Sequence, residues 1–323
     1  MKRYSAAVVG LGNIGLGYDY DSDELVLTHA RAFARHPGFE LLAGVDPDLG
    51  KRERFERQYR VPAFGDLSGL LAAASPAVIA LAVPTARHSE TLSLMLHDAA
   101  PRAVLCEKPL AETVAEGRGM LSAAAARGCV LAVNYVRRFD PGVQELKQAI
   151  DGGDYGEVYK GVAWYTKGLR ENGTHLVDLS RYLLGEVTGF ALMDRGRKPA
   201  IPDPEPDFRV RFGHTEVYFL AAREECFSHF RIELVATGGR IVYADGGNDV
   251  RGRRVRDDPV FSGYRQLDPA NHRFHSDMGR YQLHALDSLY RHLTNGAPLV
   301  SDGQSALATQ MLVEDIINSC EST

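Results

Sequence analysis

Through the first third of the chain, short uninterrupted apolar runs alternate with longer stretches whose apolar residues recur at helical spacing. Residues 6–9, 40–45, 77–83, 103–106 and 130–133 read as buried strands, and 31–35, 49–59, 89–98 and 113–127 as helices between them. Alternating strands and helices need right-handed crossovers, which predicts a parallel, doubly wound α/β sheet. Beyond residue 134 the rhythm changes. A helix over 142–150 leads through Asp151-Gly152-Gly153-Asp154 to a strand over 158–165 and a helix over 175–184. Strands without intervening helices then fill 190–243, among them 208–212, 216–220 and 229–235, and predict a largely antiparallel open sheet in a second, α+β domain. Helical patterns over 278–294 and 305–319 close the chain.

Composition narrows the class. The 323 residues are 45% hydrophobic, enough for two domains with cores, and 37 Lys plus Arg against 42 Asp plus Glu give a net charge of −5. That balance offers no footprint for a phosphate backbone, so no nucleic-acid partner is expected. Cys106, Cys129, Cys226 and Cys320 form no CxxC pair, which fits reduced thiols and a cytoplasmic location. Gly10, Gly12 and Asn13 interrupt the apolar stretch after Lys2 and Arg3, so no export signal is expected. The longest apolar run, 77–83, is far short of the ~20 residues of a membrane helix, so no membrane partner is expected. Arg251, Arg253, Arg254 and Arg256 run into Asp257 and Asp258 and read as a solvated hairpin or loop.

The chemistry begins directly after the first strand. Gly10-Leu11-Gly12-Asn13-Ile14-Gly15 fits GxGxxG, with a tight turn, a close backbone approach to a pyrophosphate and close helix packing served by the three glycines in order. The second strand ends in Asp46, whose carboxylate suits adenosine ribose hydroxyls and repels a 2′-phosphate; with no arginine before Arg52, NAD is favoured over NADP. Asp46 lies 31 residues beyond Gly15, against an offset of about 20, so 16–28 reads as an insertion. It is expected to be either a mobile flap in which Tyr18 and Tyr20 pack on a ligand, or an exposed loop.

Cys106-Glu107-Lys108-Pro109 ends a later strand, where the carboxyl edge of a parallel sheet meets its ligand, and Pro109 holds Lys108 out of helical backbone angles. Lys108 could hold a reacting oxygen by charge, or be a surface lysine in a turn. In Gly173-Thr174-His175-Leu176-Val177-Asp178 a histidine stands where a turn becomes a helix, suited to proton transfer and equally to a cap or a core position. His272, His275, Asp277 and His284 are too loosely spaced to argue for a metal and read as a polar loop.

In this order and spacing, the glycine turn, Glu107-Lys108-Pro109, Arg137-Arg138-Phe139 with Pro141, the GxHxxD of 173–178 and the C-terminal helices resemble the Gfo/Idh/MocA family of NAD(P)-dependent oxidoreductases over nearly the whole chain. The resemblance implies a Rossmann dinucleotide-binding domain over 1–134. It implies an α+β domain over 135–323 for substrate binding and oligomerisation, its last helices packing back toward the first, in a homodimer or homotetramer. The implied activity is hydride transfer between the nicotinamide and a secondary alcohol or ketone of a sugar or sugar derivative. The rivals are epimerisation with retained NAD and a non-catalytic cofactor-binding paralogue; retention of Lys108 and His175 argues against the latter.

Carried over by motif, Lys108 binds and orients the reacting oxygen and His175 exchanges its proton. The candidate cofactor-binding residues are Gly10, Gly12, Asn13, Ile14, Gly15, Asp46, Val83, Pro84, His88, Glu107 and Lys108. The candidate substrate-binding residues are Lys108, Tyr135, Arg137, Trp164, Tyr165, Lys167, Glu171, Asn172, His175 and Asp178. Glu171 stands where many relatives carry Asp, which puts the usual Asp-His pairing in question. Arg137, Arg138, Lys167 and Arg170 suggest an anionic substrate such as the diphosphate of a sugar nucleotide, with Trp164 and Tyr165 stacking on a base or sugar; free sugars and polyols are the alternative.

Overall fold

The computed structural model describes residues 2–197 and 203–321. The chain forms two compact units, the first from the residues up to Phe139 together with Gly279–Ala308, the second from Asp140–Met278 and the residues from Thr309 onward.

The first unit carries six strands, β1 (Tyr4–Val9), β2 (Phe39–Val45), β3 (Ala63–Phe64), β4 (Val78–Leu81), β5 (Ala103–Cys106) and β6 (Val130–Val133). They pair in parallel in the order β3-β2-β1-β4-β5-β6, the expected doubly wound sheet. The crossovers run through α1 (His29–Arg35), α2 (Leu49–Tyr59), α3 (Leu67–Ala73), α4 (His88–Asp98) and α5 (Val114–Ala126). Side-chain caps start several of them: Thr28 accepts from the Arg31 amide, Asp48 from Lys51 and Asp66 from Gly69, while Thr113 and Glu116 form a reciprocal capping box. Each cap is worth about 1 kcal/mol. β4 and β5 are buried throughout, which explains why they read as continuous apolar runs. The order reverses between β1 and β4, and at that switch point the strands' carboxyl ends leave a crevice.

The second unit starts with α6 (Pro141–Asp151), β7 (Val158–Tyr165) and α7 (Thr174–Leu184). The strands β8 (Val187–Asp194), β9 (Asp207–Phe212), β10 (Thr215–Ala221), β11 (Arg231–Ala236), β12 (Gly239–Ala244), β13 (Asp249–Asp257), β14 (Arg265–Leu267) and β15 (His272–Arg273) follow. The sheet order is β14-β13-β12-β11-β7-β10-β9-β8, with β15 beside β13. Every pairing is antiparallel except β7 with β10. The arginine-rich run is β13, one arm of a hairpin with β14, in agreement with the hairpin reading.

Two helices end the chain, α8 (Tyr281–Asn295) and α9 (Gly303–Glu321). Ala285, Leu286 and Leu289 of α8 lie in the first core with Phe33 and Phe39, and Tyr290 packs its ring edge-on against Phe39. The end of α9 supplies Leu312, Val313, Ile316 and Ile317 to the second core, beside Leu176 and Val177 of α7 and Phe208 and Phe219 of the sheet.

Candidate active site

The glycine turn sits at the switch point of the first sheet, and its three glycines have three different reasons. Gly10 holds φ +100°, and a Cβ there would stand 2.4 Å from the Ala82 carbonyl oxygen beyond β4. A Cβ on Gly15 would fall 2.0 Å from the Gly10 oxygen, so this glycine serves packing. At Gly12 a Cβ would meet nothing within 4 Å. Gly12 therefore borders open space, as backbone approached by a ligand must. A single π-helical turn, Asn13–Gly17, follows, with Leu16 and Gly17 donating to the Gly12 oxygen. The amides of Asn13 and Ile14 precede those bonds and can take phosphate oxygens.

Asp46, 5% exposed, closes the other side of the turn: Oδ2 accepts from the Leu11 amide and Oδ1 from the Asp48 amide, both at 2.9 Å. A carboxylate has about four lone-pair sites, so capacity remains for ribose hydroxyls. Open space at Gly12 beside this carboxylate fits a dinucleotide. Lys51 Nζ lies 3.5 Å from Asp46 Oδ2, and Arg52 donates to the Asp46 and Pro47 carbonyls, so two cations stand where the sequence pointed to the carboxylate alone.

Glu107 and Lys108 follow β5 on the same carboxyl edge, with the Glu107 amide donating to the Leu81 oxygen at 3.0 Å. Both are half-buried, and the Lys108-Pro109 peptide is cis. His29 Nε2 lies 2.7 Å from Glu107 Oε1, and Asn134 Nδ2 donates to the same oxygen at 2.6 Å. Burial pushes the Glu107 carboxyl up, but the His29 hydrogen bond and charge, the Asn134 hydrogen bond and the Lys108 charge together hold it below the usual glutamate range. Tyr281 of α8 belongs to the same neighbourhood: burial, Glu107, Tyr18 and Asp19 raise its phenol while Arg137 opposes them.

The segment 16–28 exposes Tyr18, Asp21, Asp23, Glu24 and Leu25, but it is anchored at other positions. Leu16, Asp19, Val26 and Thr28 are buried. Asp19 accepts from the Leu27 and Thr28 amides and the Thr28 hydroxyl, Arg31 donates to the Ser22 and Tyr20 carbonyls, and Val26 exchanges backbone hydrogen bonds with Gly279 and Gln282. It is an anchored strap, because an insertion carrying apolar residues and a buried charge partner can fold against its own unit. Tyr20 packs under Arg54 at 4.1 Å; Tyr18 is exposed.

In the second unit a π-helical turn, Gly168–Gly173, leads into α7 and presents the half-buried His175 in the first turn of that helix. Two carboxylates hold this turn. Glu205 accepts the Lys167 and Gly168 amides, and Asp203 accepts those of Arg170 and Glu171. A Cβ on Gly168, at φ +79°, would meet Asp203 Oδ2 at 2.0 Å. Asn172 donates to the Thr166 carbonyl at 3.1 Å. Asp178 is buried, with Oδ1 accepting the Thr309 hydroxyl at 2.9 Å.

Several expectations need correction. Tyr165 cannot stack on a ligand, because its ring lies in the second core and its hydroxyl donates to the Pro206 oxygen at 2.5 Å. Trp164, its strand neighbour, points to the opposite face. There it borders a groove of about 710 Å³ with Val162, Leu220, Phe227, His229 and Val235, away from the α7 side of the sheet. His88 is a buried tie, its ring nitrogens 3.1 Å from the Leu110 oxygen and 3.0 Å from the Val83 oxygen, so it is not available to a cofactor. Two of the four expected cations are engaged within their own units: Arg138 is buried on the Ser305 hydroxyl and the Val300 oxygen, and Arg170 forms a two-pronged pair with Glu314.

Of the other expected residues, Val83 is half-buried, Pro84 exposed and Tyr135 buried, Arg137 is half-buried, and Lys167 and Glu171 are exposed. His29, Asn134, Tyr281, Asp203 and Glu205 escaped the sequence reading. Asn134 alone carried a usable signal, since it follows a strand on the same carboxyl edge as Glu107. Among the described residues no group of three or more His, Cys, Asp or Glu could hold a metal, and no helix is long and apolar enough to cross a membrane.

Comparison with known proteins agrees with this geometry. The family model for the Gfo/Idh/MocA oxidoreductases, described as an oxidoreductase family with an NAD-binding Rossmann fold, matches residues 4–135. D-apiose dehydrogenase of Paraburkholderia graminis is 26% identical over 214 residues, 59% of this chain and 52% of that protein, so the match spans about half of that relative's length. The scyllo-inositol 2-dehydrogenase (NAD(+)) of Bacillus subtilis is 27% identical over 260 residues, 73% of this chain and 72% of that enzyme. In overall fold the chain is similar to the WlbA dehydrogenase of Bordetella pertussis, solved with NADH and UDP-GlcNAcA, with a TM-score of 0.77 and 18% identity over 99% of this chain and 96% of that one. Residues 4–135, where the glycine turn, Asp46 and the parallel sheet lie, match the Gfo/Idh/MocA oxidoreductase family with its NAD-binding Rossmann fold.

Proposed function

We propose that the protein is an NAD-dependent oxidoreductase acting on a secondary alcohol, or the matching ketone, of a sugar or polyol. The observation that carries this reading is the placement of Glu107-Lys108 on the same sheet edge as the glycine turn, whose Gly12 borders open space. Asn13 and Ile14 amides hold the pyrophosphate and Asp46 the adenosine ribose. When bound, NAD supplies the hydride acceptor at its nicotinamide. Lys108 binds the reacting oxygen and stabilises the charge that develops on it, and His175 takes the hydroxyl proton. The hydrogen bonds that Glu205 and Asp203 accept from the amides of the turn before α7 set the position of His175.

An uncharged substrate is favoured over a sugar nucleotide, because Arg138 and Arg170 are already engaged and the curated relatives are named for apiose, glucoside and inositol substrates. A screen of sugars, inositols and nucleotide sugars with NAD tests the reading. Turnover of an uncharged polyol, lost in Lys108→Ala and His175→Ala with NAD affinity kept, supports it. Turnover confined to nucleotide sugars, or undiminished in Lys108→Ala, overturns it.

The same reading includes a homodimer or homotetramer joined through the outer sheet face, where Trp164 and the exposed Phe227 border the groove. Light scattering of the parent against Phe227→Glu tests this; a monomeric parent rejects it. A cytoplasmic location accords with the four free thiols.

A further inference from the structure

The acidic side chain beside Lys108 is held from two directions. His29 opens α1 and Asn134 follows β6, and each puts a side-chain nitrogen on one oxygen, Glu107 Oε1, at 2.7 and 2.6 Å. His29 is wholly out of solvent, and Asn134 is 1% exposed. The strap places the imidazole: Asp19 binds both the amide and the hydroxyl of Thr28, Thr28 caps α1, and His29 is the first residue of that helix. Both contacts fall on Oε1, which leaves Oε2 to accept from a further donor.

We infer that His29 is a positioning residue for the reaction: acting through Glu107, it keeps that carboxylate ionised and in one orientation beside Lys108, so that Oε2 faces a ligand hydroxyl or amide. Its effect on turnover rests on the dehydrogenase reading; its effect on Glu107 does not.

The physical reason is the cost of taking a carboxylate out of water. Without donors, a buried carboxyl protonates and its charge is lost. Glu107 is held on the ionised side by His29, Asn134 and Lys108. The titratable groups facing it are His29 from α1, Tyr281 from α8, and Cys106 and Lys108 from its own segment, while Tyr18, Asp19 and Arg137 face Tyr281 in turn. Cys106 and Tyr281 are both pushed up, by burial first and by Glu107 itself, and so stay uncharged through the neutral range. Removing the His29 donor therefore raises the Glu107 pKa, and the negative charge beside Lys108 disappears at a higher pH than in the parent.

Carboxyl-carbon NMR of the cofactor-free protein, with Glu107 assigned by Glu107→Gln, reads this directly. The parent is expected to titrate below the usual glutamate value of about 4.3, and His29→Leu to move the midpoint up by about one unit or more. His29→Gln, whose amide can still donate to Oε1, is expected to return most of the shift. If His29→Leu does not fold, His29→Asn, too short to reach, takes its place. An unmoved Glu107 midpoint overturns the inference.

In turnover, the acid limb of kcat/KM is expected to move up with Glu107 and kcat to fall about tenfold at the parent's optimum, with NAD affinity within about twofold. A fall in kcat with an unmoved limb marks a structural role and also overturns it. A parent that turns over no alcohol with NAD refutes the dehydrogenase reading, and the NMR titration then decides the role of His29 alone.

Discussion

Asp19 Oδ1 lies 3.4 Å from Arg31 Nε, with both side chains out of solvent, and this pair fastens the strap to the helix that follows it. Asp19 also accepts three hydrogen bonds from Leu27 and Thr28, and Arg31 donates to two strap carbonyls, so each charge has several partners.

Asp19→Ala should consequently be costly. Removing one member of a buried pair leaves the other charge uncompensated, a loss of about 3–5 kcal/mol. Urea unfolding measures it; a loss under about 1 kcal/mol would show that the strap is held by its apolar anchors instead.

The glycines of the turn should separate folding from binding. Gly12→Ala is expected to keep the melting temperature of the parent, because a Cβ there meets no protein atom, yet to weaken NAD by filling the approach to the pyrophosphate. Gly15→Ala, whose Cβ would stand 2.0 Å from the Gly10 oxygen, should lower the melting temperature. Calorimetry with an NAD titration on both variants checks the pair; equal NAD affinity of Gly12→Ala and the parent would place the cofactor elsewhere.

Asp46→Asn should narrow the preference for NAD over NADP. Lys51 and Arg52 already stand beside this residue, so removing the carboxylate charge leaves two cations to meet a 2′-phosphate. The ratio of kcat/KM for the two cofactors is the measurement, and a drop of about tenfold, or 1.4 kcal/mol, is expected. An unchanged ratio would mean that Asp46 acts only as a brace for Leu11 and Asp48.

Alkaline pH should destabilise the fold through one buried group, the Cys129 thiol, and one partly buried group, the Tyr59 phenol. Burial raises the Cys129 thiol from 9.0 to about 11 and the Tyr59 phenol from 10.0 to about 12. Between the unfolded and folded values the unfolded chain has lost protons that the folded one keeps, so stability falls as pH rises from about 9. Urea midpoints at rising pH should show the decline, reduced in Cys129→Ala. In the same range a thiol reagent should label the exposed Cys226 first, and Cys106 and Cys129 only on unfolding.

The sequence by itself determined what depends on near neighbours. The first-sheet strands were legible because parallel strands covered on both faces must be apolar throughout, and the glycine turn because its steric demands fall within a few residues. β3 and α3 were missed, since a two-residue strand leaves no period to read. Strand alternation does separate Trp164 from Tyr165, but which face the helices cover depends on α6, α7 and the end of α9 packing there, and only that burial removes Tyr165 from the candidate site.

Only the tertiary structure could decide the contacts between distant residues. His29 and Glu107 stand 78 positions apart, and nothing in either local pattern announces the other. The insertion read as a flap or an exposed loop; the fold leaves Asp21, Asp23 and Glu24 exposed but buries Asp19 on Arg31 and turns the segment into a strap. α8 joined the first core for the same reason: its apolar stripe would suit many partners, and the site left for it beside Phe33 and Phe39 exists only once α1 and β2 have packed.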